Sequence, residues 1–346
     1  MPSSVDRGPG VEAQSGPTVS TLGEHALIAR IREKLGPNPS WLLVDAGDDA
    51  AVYEAPRNLV EVITTDAVVD GVHVDRRFVP SRAIGHRALA VNLSDLAAMG
   101  ATPRLATLSL VLPPDLSLVE FDGIVDGLLE LATRTHTRVV GGNITSTTGP
   151  LVVDVTAIGH AHRRRVLTRA GARAGDYVFV SGTLGDARAG LLHLRSGGSP
   201  QEHVAARYLH PEPRLRLGHL LARQGAATSA MDLSDGLADG LRQLAAASGL
   251  GIEVMASELP LHPATVAAWS AVALDPVAET LKGGDDYELL FTASPKRRGA
   301  LRAVSRLIGD VPLTKIGVVT RQPGITIVQP DGRRDAVDGG YEHFTS

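Results

Sequence analysis

Apolar segments that end in aspartates are the feature that most constrains how this chain folds. Residues 225–241 read GAATSAMDLSDGLADGL, in which an uncharged run is followed by Asp232, Asp235 and Asp239. A carboxylate at the end of a buried strand is costly unless a positive group meets it. We expect Asp232 to end a strand and Asp235 to begin a helix, so that both side chains face one cleft.

Further aspartates stand in apolar or glycine-rich surroundings, several of them where a predicted strand ends. They are Asp48, Asp49, Asp66, Asp70, Asp95, Asp285 and Asp286. Ligands in α/β folds bind beside the ends of strands. The chain has no cysteine and shows no histidine cluster, which leaves oxygen ligands, and these favour Mg²⁺ or Mn²⁺. Mg²⁺ held by a few carboxylates usually also binds the phosphates of a substrate. The pattern predicts an enzyme that handles phosphates.

A second interpretation of these residues stays open. Aspartates also begin helices and form turns, and this explains a good share of them, Asp239 included. Thr64 and Thr65 beside Asp66 offer oxygen ligands, but they suit a β-branched strand end equally well. Glycine-rich turns in VVGGN, SGTLGD and KGGDD can direct N–H groups toward an anion, although such turns occur in every kind of fold.

Other function classes lack support in the sequence. The net charge of −4 over 346 residues gives no reason to expect nucleic-acid binding. The P-loop pattern, the dinucleotide fingerprint, the protein-kinase catalytic loop and the zinc-protease pattern are all absent. Apolar runs such as LATLSLVL are too short to span a membrane. The first 20 residues lack the apolar centre of a secretory signal, and we expect a cytoplasmic protein.

Strand-like and helix-like segments alternate along the chain, which predicts an α/β or α+β fold. For example, the β-branched run LVEVITTDAVV predicts a strand, and the apolar spacing in SRAIGHRALAVNLSDLAAMG predicts a helix. GGNITSTTGP predicts a turn-rich link between two strands. The Ser-, Pro- and Gly-rich residues 1–20 predict a disordered tail. Near residue 161 the basic stretch HRRRVLTRAGARAGD predicts a domain boundary. We therefore expect an N-terminal domain at 21–160 and a C-terminal domain at 161–346.

The motifs resemble those of the thiamine-monophosphate kinases, which belong to the PurM-like superfamily of aminoimidazole-ribonucleotide synthetase. The resemblance runs from about Gly23 to Phe344 and is carried by GDDAAV, TTDAVVDGVH, NLSDLAAMGA, VVGGN, VLTRAGARAGD, VSGTLGDARAGL, MDLSDGL, GGDDYELLF and GGYEHF. It implies a two-domain PurM-like fold, with an N-terminal mixed-sheet domain that binds ATP and Mg²⁺ and dimerises, and a C-terminal α/β domain. It also implies that ATP phosphorylates thiamine monophosphate to thiamine diphosphate, with ATP in a cleft shared by the two subunits of a homodimer.

The resemblance assigns roles to residues by motif. Several magnesium ions would be held by Asp49, Thr64, Thr65, Asp66, Asp95, Asn143, Asp232 and Asp235. ATP would contact Gly142, Asn143, Arg169 and Ser234, and thiamine monophosphate would contact His73, Asp285 and Tyr341. No side chain is expected to act as a general base, so we expect a direct, in-line, metal-assisted transfer.

Two residues depart from the commonest family pattern. Many members carry Asp at the position of Asn143, and Asn keeps an oxygen ligand but loses the charge. Many members carry Glu at the position of Asp285. The Asp side chain keeps the charge but is shorter than Glu by one methylene group. Another ATP-using enzyme of the superfamily, or a non-catalytic sensor of a nucleotide or of thiamine diphosphate, is an alternative function, and Asn143 favours the sensor.

Overall fold

The structure is a computed structural model, and it describes residues 16–199 and 201–337. The helices are α1 Val19–Leu22, α2 Glu24–Lys34, α3 Ser81–Ala98, α4 Leu118–Arg134, α5 Asp186–Arg195, α6 His203–Leu209, α7 Leu215–Gln224, α8 Leu237–Ser248, α9 Pro263–Ala271, α10 Pro276–Lys282 and α11 Arg298–Ile308. The strands are β1 Leu42–Val44, β2 Val52–Tyr53, β3 Val60–Val69, β4 Thr102–Leu112, β5 Arg138–Ser146, β6 Val152–Ala161, β7 Tyr177–Ser181, β8 Ser229–Asp232, β9 Gly251–Met255, β10 Leu289–Ala293, β11 Leu313–Thr320, β12 Gly324–Val328 and β13 Arg334–Ala336.

Strands β3 to β6 form a four-stranded mixed sheet in the order β3-β6-β4-β5. β4 and β5 run parallel, and the other neighbours are antiparallel. Residues of β6 alternate between partly exposed and buried positions, so one face of the sheet is buried and the other is more open. Helices α3 and α4 pack on the buried face through an apolar cluster that includes Leu89, Phe121 and Val153.

Helix α3 is buried on nearly all sides. Every residue from Ala83 to Ala98 is buried except Asp95. The helix contacts α4 and β3 on one side and α7 and β8 on the other, so it lies between the two halves of the chain. Glycines permit these close approaches: a Cβ on Gly85 would lie 1.8 Å from the carbonyl oxygen of Ile124, and a Cβ on Gly218 would lie 1.9 Å from that of Ala97.

The second half of the chain forms a seven-stranded sheet in the order β13-β12-β9-β11-β7-β10-β8. It is mostly antiparallel, although β12 pairs parallel with β9. One apolar cluster, which includes Leu241 and Val254, joins the sheet to α8. Another joins it to α7 and α11 around Phe179 and Phe291, whose rings stack at 5.4 Å. Strand β8 lies at the edge of the sheet beside α3, so its last residue, Asp232, faces the first half of the chain.

Three local predictions differ from the structure. GGNITSTTGP is not wholly a turn, because β5 continues to Ser146 by pairing parallel with β4. Asp235 does not begin a helix, since α8 starts at Leu237, after Gly236 with its φ of 98°. The predicted tail is also too long: α1 begins at Val19, whose N–H bonds to the Leu116 carbonyl at 2.9 Å. The prediction for residues 1–15 lies outside the described residues.

The two sheets lie on either side of the predicted domain boundary, since the four-stranded sheet ends at Ala161 and the seven-stranded sheet begins at Tyr177. One apolar cluster nevertheless contains both Leu89 and Tyr208 and so crosses this boundary. The limits of the two domains therefore stay a prediction. None of the helices within residues 16–199 and 201–337 combines the length and the apolar character that crossing a membrane requires.

Candidate active site

Acidic side chains from both halves of the chain converge on one cavity of about 590 Å³. Asp66 of β3 and Asp95 of α3 reach it from the first half, and Asp232 at the end of β8 reaches it from the second. Thr64 Oγ1 donates a hydrogen bond to Asp95 Oδ2. Ser94 Oγ donates one of 2.7 Å to Asp232 Oδ2. The hydroxyls of Thr64 and Ser94 thus orient the carboxylates of Asp95 and Asp232.

These carboxylates crowd one another. Burial and the repulsion of neighbouring carboxylates, Asp95 first among them, raise the pKa of Asp66 to about 6. Asp154 and Asp235 add to that repulsion. Burial, with the repulsion of Asp95 and Asp66, raises the pKa of Asp232 to about 7. Asp66 keeps contact with solvent whereas Asp232 is 5% exposed, so the loss of hydration acts more strongly on Asp232.

The donor set suits a hard divalent cation. No Lys or Arg of the described residues forms an ion pair with Asp66, Asp95 or Asp232, and uncompensated carboxylates favour a cation. Among the same residues, no three Asp, Glu or His side chains are gathered tightly enough to bind a metal ion by themselves. A Mg²⁺ ion bound by these acids would need phosphate oxygens and water to complete its coordination shell.

Basic side chains line the same cavity, namely Arg87, Arg169, Arg188, Arg195 and Lys282. Arg169 donates a hydrogen bond of 2.5 Å to Oε1 of Gln243 in α8. It also lines a smaller neighbouring cavity beside Asp95 and Asp232. Ser234 and Asp235, in the loop after β8, complete this side of the larger cavity. A cavity with both acidic and basic walls suits phosphate ligands, which bind metal ions and arginines alike.

The loop between α10 and β10 carries Asp285 into the cavity. Asp285 and Tyr287 have φ angles of 68° and 50°, a left-handed conformation that costs a non-glycine residue on the order of 1–3 kcal/mol. The Asp285 N–H bonds to the Ser234 carbonyl at 2.7 Å, and the Tyr287 N–H bonds to the Leu233 carbonyl at 2.9 Å. The loop that carries Asp285 and the loop after β8 are therefore joined by hydrogen bonds.

His73 lines the same cavity. Its Nδ1 accepts a hydrogen bond of 3.1 Å from the Val69 N–H, and its carbonyl accepts one of 3.0 Å from the Tyr208 hydroxyl. His73 is thus held by two hydrogen bonds, and it lines the same cavity as the predicted substrate contact Asp285. Tyr341, the third predicted substrate contact, lies outside the described residues.

Some predicted site residues do not reach this cavity within one chain. Asp49 is exposed in the loop before β2, and Gly142 and Asn143 are exposed on β5. Strands β3 and β5 are the two edges of their sheet, which separates them by about 14 Å at ordinary strand spacing. Thr65 donates a hydrogen bond of 3.2 Å to the Val155 carbonyl, and it points to the opposite face of β3 from the acids.

Two other aspartates have partners outside the cavity, and of these Asp286 bonds to the backbone as the alternative interpretation expects, whereas Asp239 bonds to side chains. Asp239 lies in the first turn of α8 and pairs with Arg242 at 3.0 Å. Asp286 accepts hydrogen bonds from the N–H groups of Gly185, at 2.7 Å, and Ala187, at 3.3 Å. These groups lie at the start of α5, where an anion is favoured. Burial raises the pKa of Asp286 to about 8.

Two residues of the site, Arg87 and Ser94, were not predicted from the sequence. Asp154 repels Asp66 but lines neither of the two cavities, and because it pairs with Ala67 of β3 it lies on the opposite face of the sheet from Asp66. Arg87 and Ser94 stand inside the helix that carries Asp95. Both are polar residues in an otherwise apolar segment, but neither the spacing nor the motif indicates which distant carboxylate each one contacts.

Comparisons with known proteins match most of the chain. Residues 47–161 match the N-terminal domain of AIR synthase related proteins, and residues 173–329 match their C-terminal domain. The thiamine-monophosphate kinase of Escherichia coli O157:H7 is 36% identical over 331 residues, which cover 94% of this chain and 99% of that protein.

Solved structures give the same result. The crystal structure of thiamine-monophosphate kinase from Stenotrophomonas maltophilia K279a is 38% identical with a TM-score of 0.79, and the match covers 90% of this chain and 98% of that one. The structure of AaThiL complexed with AMPPCP and TMP is 32% identical with a TM-score of 0.74, and the match covers 96% and 100% of the two chains. The predicted two-domain PurM-like α/β fold is confirmed, and the chain belongs to the thiamine-monophosphate kinase family.

Proposed function

We propose that the protein transfers the γ-phosphoryl group of ATP directly to the phosphate of thiamine monophosphate, which yields thiamine diphosphate, in the cavity between the acidic cluster and the loop that carries Asp285. As a member of its family, the protein is an ATP-dependent thiamine-monophosphate kinase. The observation that carries the proposed location is the convergence of Asp66, Asp95 and Asp232 on one cavity without a basic partner among the described residues.

The acceptor in this reaction is a phosphate group, so no side chain has to remove a proton from it. Its second pKa is about 6, and it is largely ionised at neutral pH. The barrier is the approach of two anions, since two unit charges at about 4 Å repel by roughly 4 kcal/mol at an effective dielectric constant near 20. The acidic and basic walls of the cavity therefore serve charge balance and alignment rather than proton transfer.

Magnesium would be held by Asp66, Asp95, Asp232 and Asp235, with Thr64 orienting Asp95. When bound, it supplies neutralisation of the phosphate charges and a template for an in-line transfer. Arg169 and Ser234 bind the nucleotide, and His73 and Asp285 bind thiamine monophosphate. All of these side chains line the larger cavity except Thr64, which lines the neighbouring one beside Asp95.

A homodimer would complete the nucleotide site. Gly142 and Asn143 lie on the edge of the sheet opposite to β3, so a second copy of the chain is the simplest source of these groups for each cavity. Ile63, on the more open face of the same sheet, is 68% exposed. A second subunit on this face would remove that apolar side chain from water. The cytoplasmic location stays a prediction from the sequence.

The test is a coupled assay of ADP formation with thiamine monophosphate, thiamine or a precursor of aminoimidazole ribonucleotide as the second substrate. We expect steady turnover with thiamine monophosphate alone among the three. Turnover with the aminoimidazole precursor would favour another enzyme of the superfamily, and saturable binding without turnover would favour the sensor. A burst of acid-stable labelled protein after addition of γ-labelled ATP alone would contradict the direct transfer.

A further inference from the structure

Arg87 is a buried cation whose presence the acidic site does not explain. It is 1% exposed within α3, where a charge is costly unless it is paired. Its Nη1 donates a hydrogen bond to the Tyr208 carbonyl, and its guanidinium carbon lies 4.3 Å from the centre of the Tyr208 ring. Its Nε has no hydrogen-bond partner among the described residues, which is uncommon for a buried donor. The fold thus tolerates an incompletely satisfied cation at this position.

The ionic partner of Arg87 is the predicted substrate contact Asp285. Arg87 Nη2 donates a hydrogen bond of 2.9 Å to Asp285 Oδ1, and the Tyr287 hydroxyl donates one of 3.0 Å to the same oxygen. Asp285 Oδ2 accepts no hydrogen bond from the residues that the structure describes, and the side chain is 33% exposed. One carboxylate oxygen is therefore anchored, and the other is available to a ligand in the cavity.

We infer that Arg87 is a positioning residue for the substrate: together with Tyr287 it holds Oδ1 of Asp285, so that Oδ2 is presented to thiamine monophosphate. The inference rests on the proposed function, in which Asp285 contacts that substrate. A carboxylate oxygen accepts a hydrogen bond from a donor or attracts a cation. Thiamine monophosphate offers both, in the amino group of its pyrimidine and in its thiazolium ring.

The backbone around Asp285 explains why such anchoring is needed. Asp285 and Tyr287 both have left-handed φ angles, and strained residues persist only where their surroundings hold them. The loop is also tied to the carbonyls of Leu233 and Ser234. Without Arg87, the backbone bonds would remain. Among the described residues, the Tyr287 hydroxyl alone would then fix the direction of the Asp285 carboxylate.

Helix α3 joins this anchor to the acidic cluster. Arg87 and Ser94 are seven residues apart on α3, which puts them on the same side of the helix, about 10 Å apart along its axis. Ser94 bonds to Asp232 and Arg87 bonds to Asp285. One buried helix thus contacts both of these carboxylates, which line the same cavity.

The test compares Tyr287→Phe, Arg87→Lys and Asp285→Asn in the full-length enzyme. Tyr287→Phe and Arg87→Lys both weaken the anchor of Asp285 and leave its contact with the substrate in place. We therefore expect these two variants to raise the KM for thiamine monophosphate about 3- to 10-fold, the scale of one ordinary hydrogen bond, with the KM for ATP within about 2-fold of the parent value. In the Asp285→Asn background, Tyr287→Phe and Arg87→Lys should add little, because both act through the same carboxylate. Tyr287→Phe keeps the ring in place and remains informative even if Arg87→Lys folds poorly.

The outcomes separate this inference from the proposed function. If Asp285→Asn raises the KM for thiamine monophosphate but Tyr287→Phe and Arg87→Lys do not, Asp285 contacts the substrate and the positioning role is wrong. If Asp285→Asn leaves that KM unchanged, the substrate contact itself fails. Equal increases in both KM values, or a loss of thermal stability alone, would show that Arg87 has only a structural role.

Two matched controls stand away from the cavity. Arg138→Lys alters another largely buried arginine, which pairs with Asp45 at 2.5 Å. Tyr177→Phe removes a hydroxyl from β7, where the ring contacts Lys315. Neither residue lines the cavity, so both variants should keep the parent KM for thiamine monophosphate. A rise in these controls equal to that of Arg87→Lys would also refute the positioning role.

Discussion

Replacing Asp232 by Asn should stabilise the metal-free protein, and the gain should grow as the pH rises. In the folded protein the pKa of Asp232 is raised from 3.8 to about 7 by burial and by its acidic neighbours. Between these values the unfolded chain has lost the proton that the folded chain still binds, so the stability of the parent falls as the pH increases. The destabilisation by Asp232 is therefore absent below the unfolded pKa of 3.8 and complete above the folded pKa of about 7.

The expected size follows from this shift. Each pKa unit corresponds to about 1.4 kcal/mol. Because the folded carboxyl is already half ionised near pH 7, a rise from about pH 5 to about pH 7 lowers the free energy of unfolding by roughly 2 kcal/mol through Asp232 alone. For cooperative unfolding of a chain of this length, this is about 3 °C in Tm. Asn is neutral throughout this range and still offers an oxygen to the Ser94 hydroxyl. The free energy of unfolding of Asp232→Asn should therefore not fall with pH in this way.

The assay is urea or thermal unfolding in EDTA at several pH values, followed by the fluorescence of the two tryptophans, of which Trp269 is 2% exposed. Asp310→Asn, an exposed position after α11, is the matched control and should leave the pH dependence unchanged. Addition of Mg²⁺ above neutral pH should stabilise the parent more than Asp232→Asn, because the metal removes the repulsion. Parallel stability curves for the parent and Asp232→Asn in EDTA would refute the convergence of the acids.

Three further outcomes are expected. Asp95→Ala should lower kcat by at least about 100-fold and leave the circular dichroism spectrum unchanged, since even residues that only bond to metal ligands account for about 10- to 100-fold. Near-parent turnover at saturating Mg²⁺ would contradict the metal assignment. Ile63→Glu should shift the protein from dimer to monomer in analytical ultracentrifugation and reduce turnover with it, and an unchanged dimer would remove this sheet face as the interface. Gly218→Val should lower the free energy of unfolding by about 1–3 kcal/mol in urea titrations, because its side chain would overlap the Ala97 carbonyl; a stability equal to the parent would mean that α3 and α7 can separate without cost.

The sequence predicted the local elements well where the pattern was long and regular. The apolar spacing in α3 and the β-branched run of β3 predict a helix and a strand, and both are present. The predictions failed where tertiary contact overrides local preference. Turn-forming residues after Gly142 continue a strand, because β4 offers them a partner up to Ser146.

The candidate site was predicted in part. Asp66, Asp95, Asp232, Asp235 and Asp285 line one cavity, as the motifs led us to expect. Spacing along the chain could not place the remaining predicted residues, because their distance from the acids depends on strand order. In the sheet order β3-β6-β4-β5, the strand with Asn143 lies at the edge opposite to β3.

By itself, the sequence determined the family and the fold class of this protein and identified the aspartates that line its candidate site. These properties depend on residue types and on short motifs, which a chain carries before it folds. Only the tertiary structure decided that Arg87 meets Asp285, 198 positions away, and that Ser94 meets Asp232, 138 positions away. Such contacts depend on the order and packing of whole sheets and helices, in which each element is positioned by many weak contacts at once, and no local pattern records that arrangement.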